Sequence, residues 1–276
     1  MSDGIILEET IMYSGKLSPG SKESKMKILL GGAQEIGKRD DQQDAFYIST
    51  PVFGHTAQAE RDLLVVCDGI GGASFGKEAA QIACEALKSF LMTEDEIYDV
   101  PEALLQAARY ANNEVVGFMI RRGVRTVGGT TLIAALIKND MLYWISVGDS
   151  HIYLLSDTGL KQLNEDHLYA NALDAAVKEG KIDKAFADKH PRRDSISSFI
   201  GIWELKEISS GKTRLVPGTS VVLCTDGLYK TLNENEIIDA YDPDPQKWAN
   251  VLIKATLEKD VPDQDNVTVA IATAKE

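Results

Sequence analysis

Five aspartates stand where predicted strands end or begin. Asp44 precedes AFYIST, Asp68 follows LLVVC and opens DGIGG, Asp149 follows MLYWISVG, Asp226 follows SVVLCT, and Asp265 precedes NVTVAIATA. Each lies beside a glycine or in a polar turn. Taken singly, an aspartate after a strand is a turn residue, because its short carboxylate bonds the backbone a residue or two further on. Five of them allow a second reading, in which the strands of one sheet system carry them to a common rim. Carboxylates gathered there repel one another until something positive neutralises them. Carboxylate, carbonyl and water oxygens suit Mg²⁺ or Mn²⁺, and no His-rich or Cys-rich spacing competes for zinc. The chemistry to expect on the second reading is an oxygen-ligated, multinuclear Mg/Mn centre. Spacing alone leaves both readings open.

The elements that must position these residues are mostly strands. Residues 45–50, 62–67, 131–138, 141–147, 151–156, 220–225 and 266–273 are apolar or alternating runs, with hairpin turns expected at 138–140 and 157–159. Two stretches have helical spacing. In 76–91 the apolar positions are Ala79, Ala80, Ala83, Ala86, Leu87, Phe90 and Leu91; in 101–121 they are Leu104, Leu105, Ala108, Ala111, Val115 and Met119, with Pro101 early in the helix. Strand-to-strand connections dominate, so a largely antiparallel arrangement is expected rather than a doubly wound parallel sheet. Residues 14–27 read as a polar loop. Residues 165–193 are polar, helical in pieces, and interrupt the strands as an insertion or lid.

The chain has 276 residues, with 29 Lys plus Arg against 42 Asp plus Glu, a formal charge of −13. That balance argues against a nucleic-acid binder working by general electrostatics, and 44% hydrophobic residues exclude a mainly disordered chain. Cys67, Cys84 and Cys224 have no C-x-x-C spacing and read as buried free thiols of a reducing compartment. No run of about 18 apolar residues predicts a membrane span, and the first residues do not read as a signal peptide. A cytoplasmic location is expected. Two glycine-rich segments imitate a phosphate-binding loop. Gly32–Lys38 is followed by Arg39, and Gly71–Lys77 by Glu78, where such a loop needs a magnesium-binding hydroxyl.

In order along the chain, the segments GKRDDQQDA (37–45), VCDGIGG (66–72), GTT (129–131), VGDS (147–150), Asp166-His167, CTDGL (224–228) and DNVT (265–268) resemble the metal-dependent (PPM, type 2C) protein serine/threonine phosphatases, in particular the compact prokaryotic-type members. The resemblance covers residues 26–274. It implies an α+β fold, a four-layer α-β-β-α sandwich of two mainly antiparallel sheets flanked by helices. Residues 1–276 would be one phosphatase domain, with 1–25 an N-terminal extension or edge strand and about 165–195 a flap beside the active site.

Position by position, the resemblance makes Asp44, Asp68, Asp226 and Asp265 the catalytic carboxylates. Asp68 would bridge two Mn²⁺ or Mg²⁺ ions, with the Gly69 carbonyl on one of them. Asp226 and Asp265 would ligate the second, and Asp44 would act on the pair largely through water. Asp149, with Asp226, matches the place of a third, weaker ion. Arg39 would bind the substrate phosphate, a task suited to a planar guanidinium. The implied reaction is direct hydrolysis of phosphoserine or phosphothreonine by a metal-bridging hydroxide, with no covalent enzyme intermediate. The implied partners are phosphorylated proteins, opposite a Ser/Thr kinase; no nucleic acid or membrane partner is expected, and the chain is expected to be a monomer. Three positions depart from the family pattern. Gln42 stands where an asparagine is usual, Ile70 where many eukaryotic members have a histidine, and His151 where an arginine is common. His167 and His190 receive no catalytic role. The alternative is a catalytically silent member that keeps the fold and binds a protein partner.

Overall fold

The computed structural model describes residues 26–49, 61–70, 75–93, 97–123 and 128–276. The elements run β1 (Lys27–Glu35), β2 (Ala45–Ile48), β3 (Arg61–Cys67), β4 (Gly69–Ile70), α1 (Gly76–Thr93), α2 (Val100–Arg121), β5 (Gly129–Thr130), β6 (Leu132–Lys138), β7 (Met141–Val147), β8 (His151–Ser156) and β9 (Gly159–Gln162). They continue with α3 (Tyr169–Lys178), α4 (Lys184–Asp188), β10 (Ser209–Arg214), β11 (Ser220–Cys224), α5 (Asp226–Tyr229), α6 (Glu234–Asp239), α7 (Pro245–Glu258) and β12 (Val267–Lys275). One five-stranded sheet has the order β1-β12-β11-β8-β9 and the other β10-β7-β6-β3-β2, while β4 pairs with β5. The pairings in all three sheets are antiparallel.

The period-two alternation of the strands builds the layers. In β3, Leu64 and Val66 face inward between the sheets with Ile133 and Ala135 of β6 and Val221 and Leu223 of β11. Their neighbours Leu63, Val65 and Cys67 face the other way, onto Ala79, Ala83 and Leu87 of α1 and Leu104 and Ala108 of α2. Across the molecule, Val267, Val269 and Ile271 of β12 pack on Trp248, Leu252 and Ile253 of α7, while Ala270 and Ala272 fill the centre. Full burial of each larger aliphatic side chain contributes about 1.5–3 kcal/mol. The result is the α+β sandwich of four layers: helices, sheet, sheet, helix.

The turns follow local chemistry. Asn139 and Asp140 both adopt positive φ, 51° and 63°, as a two-residue hairpin between right-twisted strands requires. Helix α2 is capped by Asp99, whose side chain accepts from the Glu102 N–H, with Pro101 in the first turn. Between β9 and β10 the polar segment is helical in pieces, as α3 and α4.

Two expectations need correction, and one helix lies outside them all. The loop placed at 14–27 overlaps β1, which begins at Lys27, while residues 1–25 lie outside the described residues. Strand β2 ends at Ile48, and Thr50 also lies outside them. Helix α7 was not expected, although Asp244 caps it by accepting from the N–H groups of Gln246 and Lys247 and Pro245 opens it. It lies so close to β1 that a Cβ on Gly31 would stand 2.3 Å from the Gln246 nitrogen. Glycine is therefore required there, at the cost of a weaker strand signal. No helix among the described residues is long and apolar enough to cross a membrane.

Candidate active site

The five aspartates meet at one end of the sandwich, each delivered by a different strand junction. Asp68 follows β3, and its backbone is fixed on both sides. Its N–H donates to Thr131 Oγ1 at 2.9 Å, and its carbonyl accepts from the Thr131 N–H at 2.8 Å and from Thr130 Oγ1 at 2.9 Å. Gly69 then passes between the start of α1 and the loop before β2. A Cβ there would lie 2.6 Å from the Gly76 carbonyl and 2.7 Å from the Gln43 carbonyl oxygen, so only glycine fits. Asp44 enters β2, the edge strand paired with β3, and is buried. Its Oδ2 accepts from Thr225 Oγ1 at 3.0 Å and Thr268 Oγ1 at 2.6 Å, while its buried Oδ1 has no partner. Gln42 Oε1 accepts the Asp44 N–H at 3.0 Å.

Asp226 opens α5 and receives Lys230 Nζ at 2.6 Å. Asp265 lies just ahead of β12 and pairs through Oδ2 with Arg39 Nη2 at 2.7 Å. Asn266 staples the loop that carries Arg39. Its Nδ2 donates to the Ile36 and Asp41 carbonyls, and its Oδ1 accepts the Gln43 N–H. Asp149 occupies the turn between β7 and β8, where its carbonyl accepts from the Tyr229 hydroxyl at 2.9 Å.

The electrostatics are those of a crowded acidic rim. Burial, then the charges of Asp44, Asp226, Asp149 and Asp265, push the Asp68 carboxyl well above the ordinary range. Burial carries Asp44 up to about 7; the Thr268 and Thr225 hydroxyls oppose this, and Asp226 and Asp265 add to it. Asp149 is raised by burial and by Asp226, with Lys230 opposing. Burial works against the Lys230 ammonium, but its bond to Asp226 and the charges of Asp226, Asp149 and Asp68 outweigh that and hold it protonated.

All donors on this rim are oxygens, the set that hard divalent cations prefer. The partnerless Asp44 Oδ1 and the raised Asp68 and Asp149 are what an added positive charge would satisfy. Among the described residues no three acidic, histidine or cysteine side chains converge on one point as they stand. Asp226 is turned to Lys230 and Asp265 to Arg39. The residue types therefore fit the cations, and the two basic side chains balance part of the charge.

All the singled-out residues, Arg39 and Gly69 included, gather at this end. Sequence reading missed Lys230, one helical turn from Asp226, and the supporting roles of Thr225 and Thr268. It also gave no role to Tyr229 or His167. Ile70 lies in β4, beside the rim but without a proton to give. The glycine-rich segment 32–38 runs from β1 into a turn and not into a helix. Residues 71–74 of the other lie outside the described residues. Among the described residues all strand pairings are antiparallel, so no parallel strand–helix–strand unit supports a nucleotide loop.

PstP of Mycobacterium tuberculosis (strain CDC 1551 / Oshkosh), a serine/threonine protein phosphatase, is 32% identical over 212 residues, 76% of this chain and 40% of PstP. The chain thus spans less than half the length of that relative. The serine/threonine phosphatase stp of Listeria welshimeri is 28% identical over 220 residues, covering 76% of this chain and 83% of stp. A crystal structure of the PstP catalytic domain in complex with two manganese ions superposes with a TM-score of 0.70 at 26% identity, over 91% of this chain and 100% of that one. The family described as Protein phosphatase 2C matches residues 32–264. That match reaches from β1 to the residue before Asp265 and takes in the whole β10-β7-β6-β3-β2 sheet, strands β8, β9 and β11 of the other and the other four rim aspartates, so the chain belongs to the protein phosphatase 2C family.

Proposed function

We propose that this chain is a Mn²⁺- or Mg²⁺-dependent phosphatase acting on phosphoserine and phosphothreonine in proteins. The observation that carries the reading is the Asp44–Asp68 pair, the first buried and the second half-buried, both raised by desolvation and by the neighbouring charges of Asp226 and Asp265. Asp68, the Gly69 carbonyl, Asp226 and Asp265 would hold two ions, Asp44 would support them through water, and Asp149 with Asp226 would hold a third. Bound there, the ions would activate a water for direct attack on phosphorus and neutralise the phosphate. Arg39, half exposed on Asp265 at the rim, would turn its guanidinium to the incoming phosphate, which its planar fork matches. Lys230 would hold Asp226 in place. Cys67 and Cys224 are buried, and burial pushes both thiols up, so neither offers a thiolate nucleophile.

The same reading makes the chain one catalytic domain and a monomer that opposes a Ser/Thr kinase, with residues 165–195 as a flap touching substrate. The three buried free cysteines suit a reducing, cytoplasmic setting. The test is hydrolysis of a phosphothreonine peptide by purified protein with Mn²⁺, with Mg²⁺ and with EDTA. Metal-dependent phosphate release is expected. A folded protein that releases none with any divalent ion would overturn the reading in favour of a silent, partner-binding member.

A further inference from the structure

Gly148 and Asp149, consecutive in the turn after β7, are each held by a side chain that the proposed chemistry does not use. On one side is His167. The Gly148 N–H donates to His167 Nδ1 at 3.1 Å, and the His167 N–H donates back to the Gly148 carbonyl at 3.0 Å. A backbone N–H can only donate, so Nδ1 is the acceptor and the ring proton of the neutral imidazole sits on Nε2. Ser209 Oγ lies 2.9 Å from that nitrogen. The ring is buried, and burial holds it below the ordinary histidine range. His167 therefore joins the turn that carries Asp149 to Ser209, the first residue of β10, across the root of the 165–208 segment.

On the other side is Tyr229, whose hydroxyl donates to the Asp149 carbonyl. Its ring stacks on His151 with centroids 3.6 Å apart and planes 12° off parallel. His151 in turn meets the Tyr153 hydroxyl through Nδ1 at 2.7 Å and has Nε2 3.0 Å from Asp166. Tyr229 closes the helical turn that Asp226 opens. A short rigid path thus runs from Asp226 through Tyr229 to Asp149, and from there to His167.

We infer that His167 and Tyr229 are positioning residues that aim the Asp149 carboxylate at Asp226 and so set the affinity of an ion held between them. This rests on the function proposed above. A purely structural clamp would affect stability alone; a positioning clamp must affect one class of bound ion.

The experiment is calorimetric titration of the purified chain with Mn²⁺, with thermal unfolding in EDTA as the control for folding. His167→Gln can keep the Nε2-side donor but removes the Nδ1 acceptor, whereas His167→Asn places an amide oxygen where Nδ1 stood. Tyr229→Phe removes only the hydroxyl and keeps the stack. Wild type is expected to show a tight and a weak class of Mn²⁺ site. His167→Gln and Tyr229→Phe are expected to weaken the weak class about tenfold and to leave the tight class unchanged. His167→Asn is expected to titrate like wild type. If both weakening variants titrate like wild type, or if the asparagine variant is as poor as the glutamine one, the inference is overturned. Should His167→Gln fail to fold, Tyr229→Phe decides by the same criterion. A wild type that binds no Mn²⁺ would overturn the proposed function itself, a result separate from the variant comparison.

Discussion

The Thr268 hydroxyl donates to Asp44 Oδ2 at 2.6 Å, a bond across 224 positions that ties the start of β2 in one sheet to β12 in the other. Thr225 donates to the same oxygen, leaving Oδ1 bare and buried. Asp44 is thereby oriented with one oxygen held and the other free. Thr268→Val keeps the volume and removes the donor. The expected outcome is a loss of about 1–3 kcal/mol of stability and a loss of about 10- to 100-fold in Mn²⁺-dependent turnover. Chemical denaturation and a phosphopeptide assay on the same preparation measure the two.

Asp68 is the most crowded of the carboxyls, facing four others. Asp68→Asn keeps the shape and removes the charge. Stability and activity should move in opposite directions: the metal-free variant melts above metal-free wild type, because like-charge repulsion is relieved. Turnover falls by about three orders of magnitude, since several kcal/mol of transition-state stabilisation depends on the metal site. Melting curves in EDTA and an assay in Mn²⁺ check both halves.

The raised carboxyls set the pH dependence of the metal-free fold. Asp44 moves from 3.8 to about 7, so between those values the folded chain holds a proton that the unfolded chain has released. Stability from this group is present in full below pH 3.8 and is lost as pH rises through about 7. Asp68 and Asp149 are shifted in the same direction. Metal binding must expel these protons. The gain in melting temperature on adding Mn²⁺ is therefore expected to be larger at pH 8 than at pH 5.5, with proton release detectable in buffers of different ionisation enthalpy.

The Arg39–Asp265 pair is about half exposed on both sides, and pairs of that kind contribute little to stability. Arg39→Ala is expected to leave the melting temperature nearly unchanged while raising KM for a phosphopeptide about tenfold, the effect of losing a charge-assisted bond. Arg39→Lys should recover only part of this, because a point charge lacks the fork. Steady-state kinetics over a range of substrate concentration separate KM from kcat.

Much of this was legible in the sequence because the decisive signals are local. Alternation within 62–67, 131–138 and 266–273 marks where strands stop, and Asp68 and Asp265 stand at two of those boundaries. Asn139-Asp140 marks a hairpin, and hairpins imply antiparallel sheets. The signal for α7 was also present, in the Asp244-Pro245 cap and the spacing of Trp248, Leu252 and Ile253, but the strand reading passed over it. Strand β1 was hidden for a different reason. Gly31 weakens the strand so that α7 can approach, and that cause lies more than 200 residues away. Arg39 likewise meets Asp265 only once β1 has paired with β12, and Tyr229 meets Asp149 only once β11 lies beside β8. Lys230 is an intermediate case, since its four-residue spacing from Asp226 acquires meaning only when 226–229 turns as a helix.

Strand β12 lies inside its sheet, between β1 and β11, and its first residues carry both the Asn266 staple and the Thr268 hydroxyl. It follows every other described strand in sequence, so it leaves the ribosome after them. Until it emerges, β1 and β11 have no shared partner, the Arg39 loop has no anchor, and Asp44 has only one of its two hydroxyl donors. A chain that stops short of residue 265 therefore carries four of the five acidic residues of the rim without the Asn266 and Thr268 contacts that brace it. A stop codon or cleavage ahead of residue 266 should yield a chain with no site at all rather than one with a weakened site. Contacts this distant in sequence also favour slow folding, so assembly of the rim waits on β12 taking its place between β1 and β11.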